Sequence, residues 1–344
     1  MTRDVTIRGA GIFGLSVAWA CVQGGARVKI VDPAGVAAGA SGGIVGALAP
    51  HVPDQWNAKK AFQLDSLLAA QDFWAGIEAA AGRPTGYTRA GRLQPLADEA
   101  AVALARAREA GAREVWKGRA TWRVAGEPAS ALVPDSPSGL WVVDTLSAHL
   151  HPRQACTALA AALEAKGVRI LPEGADEGAV VWATGWQGLE EMTARHVRLV
   201  GTGVKGQAAL LGHAAPGVPQ VFANGVHVIP HLDGTTAVGS TTERTFEAPD
   251  TTDAQLDTVI AAARAAVPAL ADAPVLERWA GVRPRSRSRA PMLGPHPFRP
   301  GHYLANGGFK IGFGMAPGVA GAMADLILTG VDRIPGDFHP ERCL

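Results

Sequence analysis

Short apolar runs at the start of the chain predict a β-strand, a helix and a second β-strand. Residues 5–7 form a β-rich run, residues 15–23 form an apolar helical run, and residues 27–31 form another strand. Small residues separate the first strand from the helix. This order is typical of the first unit of an α/β domain with a parallel sheet.

The turn between the first strand and the helix carries Gly9, Gly11 and Gly14 in the G-x-G-x-x-G spacing. Gly9 allows a tight turn, Gly11 lets the backbone approach a pyrophosphate, and Gly14 lets the helix pack close to the strand. The helix N-terminus faces the phosphates, and Asp32, which ends the second strand, is placed to accept a hydrogen bond from a ribose hydroxyl. We predict a dinucleotide-binding site; a glycine-rich turn that serves only helix packing is the alternative.

The pattern changes after residue 50. Residues 59–81 and 100–110 have helical spacing, and residues 87–96 have the pattern of a short hairpin with Gly91 near its bend. These elements do not continue a strand–helix–strand alternation. We therefore expect roughly residues 50–140 to belong to another domain.

The chain then returns to the nucleotide-binding domain. A helix is predicted from about residue 152, a strand follows at 168–171, and residues 178–185 form an apolar strand typical of a buried parallel sheet. Further strands are predicted at 204–211, 225–230, 235–240 and 303–305, with a hairpin bend at 232–234, and further helices at 252–266 and 319–328.

Composition narrows the class of protein. The 344 residues suffice for about two domains, and 47% hydrophobic with 18% charged residues is typical of a globular chain. A formal net charge of +1 gives no global attraction to nucleic acid. Cys21, Cys156 and Cys343 form no C-x-x-C pair, which favours a reducing compartment. Without a signal-peptide pattern or an apolar run of about 18 residues, we expect a soluble, cytoplasmic protein.

A stretch of small residues at 37–46 follows the second strand. Such residues allow close backbone approach to a flat or charged ligand, with successive amide groups free to donate. A linker would be more polar and would lack Ile44, Val45 and Leu48. We favour ligand contact, with a linker as the alternative.

Four segments agree in order and spacing: the N-terminal glycine fingerprint, residues 40–43 (Ala-Ser-Gly-Gly), residues 180–185 (Val-Val-Trp-Ala-Thr-Gly) and residues 308–317 (Gly-Phe-Lys-Ile-Gly-Phe-Gly-Met-Ala-Pro). Together they resemble the D-amino acid oxidase superfamily of FAD-dependent oxidoreductases, which includes glycine and sarcosine oxidases. The resemblance implies an α/β, Rossmann-like FAD-binding domain with a parallel sheet, formed by residues 1–50, 145–200 and 290–344. It also implies a substrate domain with a mixed or antiparallel sheet, formed by residues 51–144 and 201–289.

The resemblance further implies the cofactor contacts. Asp32 would hold the adenosine ribose, and Ser41 and Gly42 would lie near the pyrophosphate or the flavin. The last glycine-rich turn would set a helix N-terminus against the flavin C2 carbonyl, where its dipole stabilises anionic reduced flavin. The expected cofactor-binding residues are Gly9, Gly11, Gly14, Asp32, Ser41, Gly42, Ala183, Thr184, Gly185, Gly312, Phe313, Gly314 and Met315. Relatives attach flavin through a cysteine where this chain has Gly281, so we expect non-covalent FAD.

Two basic residues are candidates to bind a substrate carboxylate. Lys310 lies where the sarcosine oxidases it resembles have a similarly placed lysine, although a surface lysine is the alternative. Arg283 matches a family arginine that binds carboxylate or braces the site, with a structural salt bridge as the alternative. The four alternating arginines at 283, 285, 287 and 289 would share one face of a strand, and for the three other than Arg283 an RNA-facing or solvated patch is an alternative.

Histidines give weaker signals. His227 falls where sarcosine oxidases carry a lysine that helps oxygen react, whereas an ordinary hydrogen-bonded strand histidine is the favoured alternative. His51 is a candidate only by its proximity to the flavin loop. His149 and His151 are two residues apart with no further ligand pattern, so the sequence predicts no metal site.

Three functions are compatible with these residues. The first is an oxidase or dehydrogenase that converts a small amine or amino acid to an imine, with O2 or another compound as electron acceptor. The second is a flavin domain that cleaves a carboxymethylaminomethyl group from a wobble uridine of tRNA, although the near-neutral charge makes nucleic acid an unfavoured partner. The third is a flavin-carrying subunit of a hetero-oligomeric amine or opine oxidase.

Overall fold

The computed structural model describes residues 3–344, which form two large β-sheets, one two-stranded sheet and seven α-helices. The strands are β1 Asp4–Arg8, β2 Arg27–Val31, β3 Ala47–Leu48, β4 Arg92–Pro95, β5 Trp122–Ala125, β6 Trp141–Asp144, β7 Ala148–His149, β8 Arg169–Leu171, β9 Ala179–Trp182, β10 Gly201–Leu211, β11 Gln220–Ala223, β12 Val226–Pro230, β13 Thr236–Gly239, β14 Val275–Ser286, β15 Met292–Pro295 and β16 His302–Asn306. The helices are α1 Ile12–Gln23, α2 Ala58–Ala81, α3 Glu99–Trp116, α4 Pro152–Ala165, α5 Gly185–Ala194, α6 Ala254–Ala266 and α7 Gly312–Thr329.

The first sheet has six strands in the order β15-β16-β9-β1-β2-β8. All neighbouring pairs are parallel except β15 and β16, which are antiparallel. The helices α1, α2, α4 and α7 share one apolar core with this sheet. The predicted parallel α/β sheet, with residues 178–185 as a buried strand, is confirmed.

The second sheet has eight strands in the order β14-β10-β13-β12-β11-β4-β6-β5. Its pairs are antiparallel except β11 and β4, so the expected mixed sheet is also confirmed. The bend predicted at residues 232–234 joins β12 to β13. Which residues belong to each domain stays a prediction.

The hairpin predicted at residues 87–96 is wrong. Only β4 forms there, and its partners are β6 and β11, which are far along the chain. Gly91 has a φ of +88°, and a Cβ on it would overlap the carbonyl oxygen of Asp144. The glycine therefore serves a close approach to a distant segment and not a local bend.

The last helix is longer than predicted. It begins at Gly312 and not at residue 319. The prediction placed the start too late because the first turns of the helix contain glycines and Pro317, which usually mark turns. By length and composition α7 is long and apolar enough to cross a membrane, which corrects the expectation that no such run exists. Most of its residues are buried against α1 and α2, as in the core helix of a globular domain.

Candidate active site

A cavity of about 820 Å³ is lined by residues from both large sheets. The ends of β1, β2 and β9 and the turns after them line one end, which we call the nucleotide end. Residues of β12 and β14 and of the 307–313 turn line the other, which we call the substrate end. Ligands of open parallel sheets bind at the carboxyl ends of the strands, where the nucleotide end lies.

The glycine fingerprint forms the floor of the nucleotide end. Gly9 has a φ of +115°, and its amide donates to the carbonyl oxygen of Val31 at 3.0 Å. A Cβ on Gly9 would overlap the carbonyl oxygen of Ala183, which directly follows β9. Gly14 has a different constraint, because a Cβ there would overlap the carbonyl oxygen of Gly9. The structure therefore shows the close packing of α1 on β1 that the glycine spacing predicts.

Two polar side chains organise the backbone around this floor. The Asp32 carboxylate accepts from the amides of Ala10 at 2.7 Å and Ala34 at 2.9 Å. The Ser41 hydroxyl accepts from the amide of Ile12, the first residue of α1, at 2.9 Å. Asp32 and Ser41 therefore lie at the end of β2 and at the N-terminus of α1, as a ribose and a pyrophosphate require.

Most of the predicted cofactor-binding residues come together on this cavity, namely Gly9, Gly11, Asp32, Ser41, Ala183, Thr184, Gly185, Gly312 and Phe313. Gly14 and Gly42 do not line it and instead allow close packing of backbone. Gly314 lines a smaller neighbouring cavity of about 220 Å³, and Met315 is fully buried in the core. No side chain caps the N-terminus of α7, so its first amides remain available to a ligand.

Arg283 and Lys310 both line the substrate end. The guanidinium of Arg283 donates to the Ser240 hydroxyl at 2.6 Å and to the Thr241 carbonyl at 3.4 Å. The ammonium of Lys310 donates to the Thr242 hydroxyl at 2.8 Å. Both cations are thus held by neutral oxygens, and neither side chain forms a salt bridge with a described residue.

Burial changes the acidity of both groups. It lowers the pKa of Arg283 to about 10, which keeps the guanidinium charged at neutral pH. Partial burial, followed by the charge of Arg283, lowers the pKa of Lys310. Asp32, at the opposite end, is the only carboxylate residue lining the cavity among residues 3–344. The substrate end is therefore positively charged and suited to an anionic ligand.

The two candidate histidines differ in position. His227 lines both cavities, and burial followed by the charges of Arg92, Lys310 and Arg283 lowers its pKa to about 3. Its imidazole is therefore neutral, and its Nδ1 has no hydrogen-bond partner among the described residues. His51 lines only the smaller cavity, where its amide donates to the side-chain oxygen of Gln63 at 2.7 Å. The cations that line the substrate end are therefore Lys310 and Arg283, and not a histidine.

The row of four arginines does not form one face of a strand. Arg283 and Arg285 lie on β14, which ends at Ser286, whereas Arg287 and Arg289 are exposed in the following turn. Arg287 donates to the C-terminal residue Leu344 at 2.9 Å. The alternation was misleading because it continues past the end of the strand.

Sequence reasoning missed the residues that make room for Arg283. A Cβ on Gly206, in β10 next to β14, would overlap the guanidinium of Arg283. The run Ser240, Thr241 and Thr242, which follows β13, supplies the oxygens that hold both cations. Three hydroxyl residues directly after an apolar strand are the one feature of the sequence that could have indicated these contacts. Only the pairing of β13 with β10 and of β10 with β14 places them near Arg283.

The residues present fit a flavin dinucleotide. The glycine floor, the Asp32 carboxylate and the free N-terminus of α7 supply the contacts that such a group needs. The three cysteines are buried and none lines either cavity, which agrees with a non-covalent cofactor. When bound, FAD supplies the two-electron chemistry, whereas the protein supplies binding, orientation and charge.

Comparison with known proteins gives a family and two named relatives. Residues 4–326 match the family described as DAO, FAD dependent oxidoreductase. The chain is 30% identical over 342 residues to a putative thiamine biosynthesis oxidoreductase ThiO of Rhizobium etli. The matched region covers 94% of this chain and 96% of that protein. It is 27% identical to a bifunctional protein ThiO/ThiG of Nostoc sp., across 99% of this chain but only 55% of that protein's length.

A solved structure shares the fold. The crystal structure of glycine oxidase from Geobacillus kaustophilus superposes with a TM-score of 0.84 at 20% identity, with 98% of each chain covered. At this identity the likeness concerns the fold alone.

Proposed function

This chain belongs to the DAO family of FAD-dependent oxidoreductases, and on that basis we propose that it oxidises the C–N bond of a small amino acid or N-substituted glycine. One observation carries the proposal: Arg283 and Lys310 line the substrate end of the cavity, and neither forms a salt bridge with a carboxylate of the described residues. Two such cations suit a substrate that carries its own carboxylate next to the reacting C–N bond.

The substrate is held by its carboxylate. Arg283 presents a planar guanidinium that matches the two carboxylate oxygens, and Lys310 adds a second charge from the 307–313 turn. The oxygens of residues 240–242 keep both groups in place before the substrate arrives, so little ordering is needed on binding. Orientation of the α-carbon follows from fixing the carboxylate at one end.

The chemical balance requires one hydride and one proton to leave the substrate. The α-carbon would give up its hydrogen as a hydride, for which bound FAD would be the acceptor, and the nitrogen would give up a proton as the C=N bond forms. Water then adds to the imine and releases a 2-oxo acid and ammonia or an amine. The positive substrate end favours the neutral form of the substrate amine, since a protonated amine would be repelled by Arg283 and Lys310.

The relatives support a substrate of this size. One is a putative thiamine biosynthesis oxidoreductase, and another is a glycine oxidase of Pseudomonas putida, 38% identical over 142 residues or 40% of this chain. We infer that glycine and its N-substituted derivatives are the first compounds to test.

The test is an anaerobic screen of flavin absorbance with the purified protein. Glycine, sarcosine, proline and D-amino acids are compared with methylamine and ethylamine, which lack the carboxylate. We expect bleaching only by compounds with a carboxylate. Equal bleaching by the plain amines contradicts the proposal.

Two other outcomes would favour the alternative functions. Bound flavin that none of these compounds reduces points to a subunit that needs a partner chain for turnover. Tight tRNA binding that weakens steeply with salt points to the wobble-uridine function.

A further inference from the structure

A second cluster of possible ligands lies outside the cavity. His151 immediately precedes α4, His231 follows β12, and Asp233 lies in the turn between β12 and β13. One ligand atom from each of the three residues lies within 4.8 Å of the other two. Neither histidine lines either cavity, so the cluster is separate from the proposed active site.

Two imidazole nitrogens in this cluster have no partner. His151 is 8% exposed and His231 is 1% exposed, and their ring centroids are 4.4 Å apart. Nδ1 of His151 and Nε2 of His231 are buried and make no hydrogen bond to any described residue. Buried polar atoms without a partner are costly, and they are a recognised sign of an unseen ion or water.

The hydrogen-bond network fixes the tautomer of His231. The Thr235 hydroxyl lies 2.7 Å from a carboxylate oxygen of Asp233, and an ionised carboxylate can only accept, so the single hydroxyl proton points to Asp233. Nδ1 of His231, which lies 3.1 Å from the same hydroxyl, must then be the donor. Nε2 of His231 is left with a bare lone pair that is buried and unused.

This arrangement matches a metal ligand and its support. Histidines that bind a metal commonly donate their other ring N–H to a neighbouring group, which sets the tautomer and the orientation of the ring. Thr235 does this for His231, and Gln154 donates to the other carboxylate oxygen of Asp233 at 2.8 Å. Two imidazoles and one carboxylate form a donor set that suits Zn²⁺, whereas Ca²⁺ and Mg²⁺ prefer oxygen ligands.

We propose that His151, His231 and Asp233 bind one Zn²⁺ ion, with water as the fourth ligand. Tetrahedral zinc needs ligand atoms about 3.4 Å apart, and the exposed Asp233 turn can supply the small movement required. Sequence spacing predicted no metal site because His151 and the 231–233 turn are about 80 residues apart.

The site would connect α4, which packs in the core of the first sheet, to the β12–β13 hairpin of the second sheet. Arg153, in the first turn of α4, donates to the carbonyl of Gly42 at 2.7 Å and binds Glu277 of β14 at 2.6 and 2.9 Å. Zinc would add a second link between α4 and the β12–β13 hairpin. Because the cluster lies outside both cavities, we expect the ion to raise thermal stability without entering the reaction.

The test measures zinc binding by the full-length, tag-free protein with FAD bound and metal removed. We expect one Zn²⁺ per chain by isothermal titration, the intense visible bands of tetrahedral Co²⁺ on cobalt substitution, and a higher melting temperature with Zn²⁺. Asp233→Asn and His231→Gln should abolish the Co²⁺ bands. Thr235→Val removes only the orienting hydroxyl and should weaken binding by roughly 10- to 100-fold.

His196→Gln is the matched control, since this histidine lies outside the cluster and binds the amide of Arg198. It should leave zinc affinity unchanged. Flavin content and circular dichroism establish that each variant is folded, and Asp233→Asn alters only an exposed side chain. No zinc binding by the parent protein, or binding that survives both Asp233→Asn and His231→Gln, overturns the proposal.

Discussion

The two ends of the cavity offer different groups to a ligand. At the nucleotide end the contacts come from backbone amides, glycines without side chains and one carboxylate at the end of β2. At the substrate end they come from charged side chains supported by hydroxyl and carbonyl oxygens. The first end therefore offers a backbone surface without side chains, and the second offers a positive charge that depends on a few side chains.

The difference also explains which end the sequence could predict. The fingerprint lies within residues 5–32, so its spacing alone indicates where each glycine goes. The substrate end combines β10, β13, β14 and the 307–313 turn, which only the pairing of strands brings together. Arg283 and Lys310 could be named by resemblance, but the space left by Gly206 could not, because nothing local marks that glycine.

The largest expected effect is loss of bound FAD when the nucleotide end is disturbed. Gly9→Ala would place a Cβ against the carbonyl oxygen of Ala183 at a φ of +115°, so we expect the purified protein to lose FAD. Gly39→Ala is the control, because Gly39 lines the same end at a φ of −93° with no atom near its Cβ position. Bound flavin is measured by absorbance. Equal flavin content in both variants would show that the fingerprint does not hold the cofactor.

A smaller effect is expected where only the substrate end is disturbed. Gly206→Ala would push the guanidinium of Arg283 out of place, at a cost of about 1–3 kcal/mol, or roughly 5- to 150-fold in kcat/KM. FAD content should not change. Gly76→Ala is the control, because Gly76 lies in α2 with no atom near its Cβ position and lines neither cavity. Loss of FAD together with activity would mean that the two ends are not independent.

The smallest effect concerns Lys310 and pH. Because its pKa is lowered, Lys310 loses its charge at a lower pH than an exposed lysine, and carboxylate affinity should fall as pH rises through that value. The dissociation constant of acetate, which stays ionised throughout, is measured from the change in flavin absorbance at several pH values from neutral to alkaline. Lys310→Gln should weaken acetate at neutral pH by about two- to fivefold, the range of a partly exposed ion pair, and should flatten the pH profile. If acetate affinity depends on pH in the same way in Lys310→Gln as in the parent protein, another group causes the pH dependence.

The fold itself was predictable where the pattern was local and unpredictable where it was not. The first strand, helix and second strand followed from periodicity, and so did the hairpin of β12 and β13. The strands β5, β6, β11 and β14 are short or irregular in pattern, and long-range pairing decides them. Asp233 was read only as part of a bend, because His151 lies about 80 residues earlier and meets His231 and Asp233 only in the folded chain.

The most direct test of the account is the affinity of a small carboxylate in Arg283→Gln. The dissociation constant of acetate is measured by its perturbation of the flavin spectrum in the parent protein, in Arg283→Gln and in Arg287→Gln, whose arginine is exposed and lies outside the cavity. We predict that Arg283→Gln binds acetate roughly 10- to 150-fold more weakly, as loss of a charged hydrogen bond of about 1.5–3 kcal/mol requires, and that Arg287→Gln is unchanged. Equal affinity in all three proteins would contradict the claim that the substrate end is built to hold a carboxylate.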